Sequence, residues 1–136
     1  MFYLLERQAR QFTKHKHQGQ IYGDNEDFYE AHIKPVVNLV KQVTDDKTTI
    51  IAAYLHDTLE DTNTSYEELA GIFGEEVASV VQEVTKTGYN KFPQLRCQKA
   101  YLIKFADRLS NLSKMDAWNK YKQQKYLNKS IFWQTS

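Results

Sequence analysis

The sequence predicts an all-α protein, and three observations carry that expectation. Apolar residues return every three or four positions through most of the 136 residues, the spacing of one helix face. Five Gly and two Pro leave long stretches between breakers, room enough for helices. No segment sustains the period-two alternation of a half-buried strand. A chain of this length can bury its own core, so residues 1–136 are expected to form one domain, a bundle of about seven helices.

Phe2, Leu5, Ala9 and Phe12 place an opening helix over 1–16. Gly19 and Gly23 then mark a loop entered through His15-Lys16-His17. Flanking lysines would repel a cation there, so the two histidines are read as a solvated, phosphate-facing basic edge. Phe28, His32, Val36, Val40 and Val43 form the next inward stripe. Pro35 has no amide hydrogen and is tolerated in a first turn. Regular helix is therefore expected from about Ile33, with His32 at its entrance.

Asp45-Asp46 supply an N-cap for a central helix, and Ser65 with Glu68 has capping-box spacing for another. Leu69, Ile72 and Phe73 carry that second helix to Gly74, and Val77, Val80, Val81 and Val84 mark one over 75–86. Pro93 opens a long helix from about Gln94 to Lys114, with Leu95, Ala100, Tyr101, Ile103 and Phe105 on its buried side. A weaker helix from Asp116 to about Phe132 ends the chain.

Composition excludes several classes. A net charge of +1 gives no global reason for nucleic-acid or membrane binding. Charge is nevertheless uneven, with nine acids against Lys47 between Asp45 and Glu76. Cys97 is the lone cysteine, which fits a reducing compartment. Met1–Arg10 does not resemble a signal peptide, and no run approaches the ~20 apolar residues of a membrane span. A cytoplasmic location is expected.

The informative stretch runs from Ile50 to Thr62. Six apolar residues lead into His56, Asp57, Glu60 and Asp61. On a continuous helix these four fall at roughly 0°, 100°, 40° and 140°, crowding one arc of an element too apolar for the surface. Burying three carboxylates and an imidazole costs several kcal/mol unless something neutralises them. Asp107, behind Ile103-Lys104-Phe105-Ala106, is likewise expected to be buried and in need of a partner. With His32 on its inward stripe, the set His32, His56, Asp57 and Asp107 suits a borderline or hard divalent metal such as Mn²⁺. Glu60 and Asp61, one turn beyond, are placed to orient or deprotonate a water.

At these residues the sequence resembles the HD-domain metal-dependent phosphohydrolases, above all the hydrolase domain of the Rel/SpoT alarmone enzymes and the small alarmone hydrolases. Ala52–Thr62 resembles that family's central signature. His17-Gln18-Gly19-Gln20, Phe73–Ala78, Val84-Thr85-Lys86 and Lys104–Leu112 follow in the family's order. The resemblance implies a helical HD fold, one Mn²⁺ held by His32, His56, Asp57 and Asp107, and water activation at Glu60 and Asp61. It also implies a nucleotide substrate contacted by Asn111, with Lys86, Arg108 and Tyr22 nearby. The reaction it implies removes the 3′-pyrophosphate of guanosine tetra- or pentaphosphate.

The chain departs from the family where substrate is chosen. Tyr22-Gly23 stands in place of an Arg-Lys pair, acids follow at Asp24, Glu26 and Asp27, and Ile33 replaces the Pro after the ligand His. Hydrolysis of another nucleotide or phosphate ester therefore stands beside the alarmone reaction. So does a non-catalytic nucleotide-binding regulator on the same fold. A helical interaction or nucleic-acid module using the five lysines of 114–129 is a third class; it requires no metal and predicts steep salt dependence.

Overall fold

The computed structural model describes residues 2–85 and 95–114, with 120, 121, 123 and 124. Seven α-helices occur among them: α1 (Phe2–Lys16), α2 (Lys34–Val43), α3 (Lys47–Leu55), α4 (Thr58–Asp61), α5 (Tyr66–Phe73), α6 (Glu75–Val84) and α7 (Gln98–Leu112). The all-α expectation holds, with one small addition. Ile21–Tyr22 (β1) and Glu26–Asp27 (β2) pair antiparallel, Ile21 opposite Asp27, in a hairpin too short to show alternation.

α3 lies at the centre, packed against α1, α2, α6 and α7. Every residue from Thr49 to Leu55 is buried, so its sequence has no polar face to give to water. Ile33, Val36, Val40, Ile51, Leu55, Leu69, Val81 and Ile103 are completely buried around it. Each such side chain contributes about 1.5–3 kcal/mol of transfer free energy. The predicted caps are made: the Asp46 carboxylate accepts from the Thr49 amide at 2.9 Å, and the Ser65 hydroxyl accepts from the Glu68 amide at 3.0 Å. Gly74, at φ +98°, ends α5 and starts α6 in a conformation side chains resist.

Several expectations need correction. Regular α-helix begins at Lys34, beside the expected Ile33 and with His32 at its entrance, but the stripe from Phe28 is not α-helical throughout: Tyr29–Ile33 is a π turn that runs into α2, with the Lys34 amide donating to the Tyr29 carbonyl. Pro35 has no N–H for the Ala31 carbonyl, and the wider turn accommodates that loss. The central helix is not continuous either, because α3 stops at Leu55 and a new single turn starts at Thr58. α7 starts at Gln98, four residues late, where the Glu83 carboxylate accepts the amides of Arg96 and Cys97 at 2.6 and 3.1 Å. Its aromatic side does not face inward as expected: Tyr101 and Phe105 are exposed while Lys104, Asp107, Arg108 and Ser110 are buried. Val43 likewise faces out. Pro93 and the helix expected from Asp116 to Phe132 lie outside the described residues, apart from isolated positions of the latter.

Candidate metal and phosphate site

Two backbone irregularities bring the ligand candidates together. His32 projects from the π turn. His56 and Asp57 occupy the break between α3 and α4, with Asp57 at φ −103°, ψ 0°, in the bridge region where many active-site residues sit. The break is held by side chains. The His56 ring nitrogen Nδ1 donates to the Ala53 carbonyl at 2.7 Å, and the Thr58 hydroxyl donates to the Leu55 carbonyl at 2.7 Å. The first of these bonds fixes the tautomer and aims Nε2 away from the helix.

That nitrogen meets three other donor atoms. His32 Nε2 lies 3.3 Å from His56 Nε2, 3.1 Å from Asp57 Oδ2 and 2.9 Å from Asp107 Oδ1. His56 Nε2 lies 3.2 and 3.5 Å from the same two oxygens. All four ligand atoms fall within 4.8 Å of one another. Adjacent ligands in a shell of about 2.1 Å radius are about 3.0–3.4 Å apart, so the four residues fit a divalent cation. Both imidazoles are buried. Burial alone would lower their pKa values, but the Asp107 and Asp57 carboxylates outweigh it, raising His32 to about 9 and His56 well above its ordinary value. Burial in turn opposes ionisation of Asp57 and Asp107, and the two histidines overcome it, holding both carboxyls low.

The quartet lines a cavity of about 260 Å³, together with Tyr22, Phe28, Glu60, Asp61, Val84, Ile103, Lys104, Arg108 and Asn111. Every proposed site residue except Lys86 thus faces one space; Lys86 lies outside the described residues. Glu60 and Asp61 reach it from α4 rather than from a continuous central helix. Burial, then the Asp57 charge, raises Asp61 to about 6. Tyr22 forms one wall: its ring stacks on His32 at 5.4 Å, and its hydroxyl donates to Asn111 Oδ1 at 2.5 Å. Lys114 Nζ sits 5.5 Å from the same ring.

Sequence reasoning missed Lys104 and His17. Lys104 is only 8% exposed and lies 3.8 Å from Asp107. Its spacing, one turn before Asp107, was the available signal. His17 does not sit at the expected solvated basic edge: it is 2% exposed, stacked on Phe28 at 4.7 Å and bonded to Gln20 at 2.8 Å. Lys16 turns away toward Glu68 and the Asn63 carbonyl. Among the described residues no helix is long and apolar enough to cross a membrane.

A family model described as "HD domain" matches residues 9–100. A guanosine-3′,5′-bis(diphosphate) 3′-pyrophosphohydrolase of Aquifex aeolicus is 34% identical over 92% of this chain, which spans 20% of that relative's length. The pyrophosphohydrolase MESH1 of Xenopus tropicalis is 33% identical over 88% of the chain and 76% of its own length. A solved structure described as a metazoan ortholog of SpoT that hydrolyzes ppGpp superposes with a TM-score of 0.82. It is 25% identical, covering 93% of this chain and 82% of that one. With the family model matched over more than half its length and a near-full-length relative above 30% identity, the chain belongs to the HD-domain family.

Proposed function

We propose that this HD domain is a metal-dependent phosphohydrolase that removes pyrophosphate from the 3′ position of guanosine 3′,5′-bis(diphosphate) or a close nucleotide relative. The observation that carries the proposal is the His32-His56-Asp57-Asp107 cluster opening into the same cavity as Glu60 and Asp61. The relatives named for this reaction support the substrate class. His32, His56, Asp57 and Asp107 would hold one divalent ion, with Mn²⁺ our assignment. Bound there, it would supply Lewis-acid chemistry, acidifying water and offsetting phosphate charge.

The protein's own groups do the rest. Asp61, raised to about 6, is matched to accept a proton from the attacking water near neutral pH. Glu60 lies beside it to orient that water. Lys104 and Arg108 bring positive charge to a cavity that also carries Asp57, Glu60, Asp61 and Asp107, where phosphate oxygens must enter. The water oxygen bonds to the phosphorus carried by the 3′ oxygen, the bond between that phosphorus and the 3′ oxygen breaks, the 3′ oxygen takes a proton from solvent, and inorganic pyrophosphate leaves. Asn111 and Tyr22 are assigned to the nucleoside side of the cavity.

A second reading is favoured by one feature. Tyr22 fills the space between His32 and Asn111 without a positive charge, which suits a less highly charged nucleotide. Both readings face the same experiment: metal content of the purified protein, then phosphate and pyrophosphate release from a nucleotide panel with Mn²⁺. His56→Ala should lose metal and turnover while far-ultraviolet circular dichroism stays helical. Glu60→Gln and Asp61→Asn should keep metal but lower kcat by about 10²–10⁴-fold. Nucleotide binding without turnover would instead identify a regulator.

A further inference from the structure

One chain of side chains enters the site from outside the cavity lining. Gln20 follows α1, and its backbone is clamped on both sides. Its amide donates to the His17 carbonyl at 2.9 Å, and its carbonyl accepts from the Phe28 amide at 3.1 Å. The side chain is fixed as well. Gln20 Oε1 lies 2.8 Å from His17 Nδ1, and Gln20 Nε2 lies 3.4 Å from Asp61 Oδ2.

The order of atoms in that chain follows from what each group can donate. An ionised carboxylate only accepts, so the Gln20 atom facing Asp61 must be the NH₂ group. The amide oxygen then faces His17, and His17 must carry its proton on Nδ1 to donate to it. The imidazole is suited to a fixed tautomer: it is 2% exposed, stacked on Phe28, and its Nε2 has no hydrogen-bond partner among the described residues. Burial lowers its pKa, so the ring is neutral at pH 7. Phe28 in turn lies against His32, ring centres 5.3 Å apart. The packed ring that fixes Gln20 therefore shares a neighbour with the metal cluster.

We infer that Gln20 is a positioning residue for Asp61, held in its donating orientation by buried His17. The inference rests on the proposed role of Asp61 and extends it to two residues outside the cavity lining. A free Asp61 carboxylate on a one-turn helix can rotate. A donor on Oδ2 holds the carboxylate in one orientation beside the cavity that Asp61 lines. Displacement of a reacting group by about 1 Å can cost 10²-fold, so loss of this donor should lower kcat by about 10–100-fold.

The test is a set of variants read by kcat, KM, bound metal and melting temperature. Gln20→Ala should lower kcat by that factor while KM and metal content stay within about twofold. His17→Phe keeps the ring and its stack but loses the N–H, and should reproduce the same kcat loss. His17→Asn, whose amide nitrogen falls near the Nδ1 position, should recover most of it. In an Asp61→Asn background Gln20→Ala should cause little further loss, because residues acting through one another are not additive. An equal loss in both backgrounds would overturn the inference. So would a kcat unchanged by Gln20→Ala. A second measurement needs no turnover: a ¹⁵N-correlated spectrum of the His17 ring in the wild-type protein. A proton on Nδ1 is expected, and a proton on Nε2 refutes the chain even if no nucleotide is hydrolysed. Absence of hydrolysis with the Nδ1 tautomer present would remove the enzymatic reading and leave the hydrogen-bond chain standing.

Discussion

Replacing Tyr22 with Arg should improve hydrolysis of guanosine 3′,5′-bis(diphosphate), and the structure sets the size of the gain. A charge-assisted hydrogen bond to phosphate is worth about 1.5–3 kcal/mol. Two terms oppose it. The Tyr22–Asn111 bond is lost, which destabilises the free protein. Lys114 Nζ lies 5.5 Å from the Tyr22 ring, so a new guanidinium would meet a like charge. At that distance the repulsion is roughly 1 kcal/mol in a water-like medium and about 3 at an effective dielectric of 20. Lys114 is partly exposed and 3.8 Å from Glu26, which favours the lower figure. The net gain is about 1–2 kcal/mol, or roughly 5–30-fold in kcat/KM. The assay is pyrophosphate release at fixed Mn²⁺, beside a nucleotide carrying a single 3′-phosphate, which should gain less. Unchanged metal content excludes damage through the lost stack on His32. No gain, or an equal gain for both substrates, would refute a charge-based role for this position. Gly23 should be left alone: at φ +64° a lysine there costs about 1–2 kcal/mol in backbone strain.

Two further outcomes follow from the charges of the metal-free site. His32 is raised to about 9 and His56 is raised as well, so the metal-free site favours charged imidazoles, whereas metal ligation requires neutral ones. Metal binding at pH 7 should therefore release protons and tighten as pH rises; titration calorimetry in buffers of different ionisation enthalpy counts them, and a count near zero refutes this. Asp61 is displaced from 3.8 to about 6, so its stabilising contribution is full below pH 3.8 and is lost as pH rises through 6. Asp61→Asn should therefore raise the melting temperature of the metal-free protein at pH 7–8 and leave it unchanged near pH 3.5; equal shifts at both values would assign the effect to packing.

Much of the fold was legible because local chemistry and tertiary packing agree. Asp46 and Ser65 cap the helices their sequence positions imply, and the wholly apolar run before His56 is the helix every neighbour packs on. The quartet was legible for a related reason: acids and imidazoles attached to apolar stretches have no inexpensive place to go. The π turn and the break at His56-Asp57 were not, since each depends on hydrogen bonds the period alone does not encode. At the break, His56 Nδ1 and the Thr58 hydroxyl satisfy the Ala53 and Leu55 carbonyls. Helical spacing assumes that backbone amides take those bonds, so it projects a continuous arc through a point where the chain changes direction.

α7 shows most clearly why function defeats a binary pattern. An inward face at Tyr101 and Phe105 would satisfy the hydrophobic rule, and the helix instead turns Lys104, Asp107, Arg108 and Ser110 inward. Rotation is fixed by partners on the other side of the cavity. Asp107 reaches His32 at 2.9 Å and His56 at 3.5 Å, and turning the helix to bury Phe105 would take that carboxylate away and leave two imidazoles with Asp57 alone. Breaking a buried charged set by removing one partner costs about 3–5 kcal/mol. Tyr101 and Phe105 are 41% and 39% exposed, so covering what remains of both rings would gain roughly 1–2.5 kcal/mol. The electrostatic term wins, and the aromatic residues stay outside. Local rules fail at sites that proteins maintain for chemistry. On α7 the inversion itself, charged residues buried while Tyr101 and Phe105 stay exposed, marks the face that carries the site.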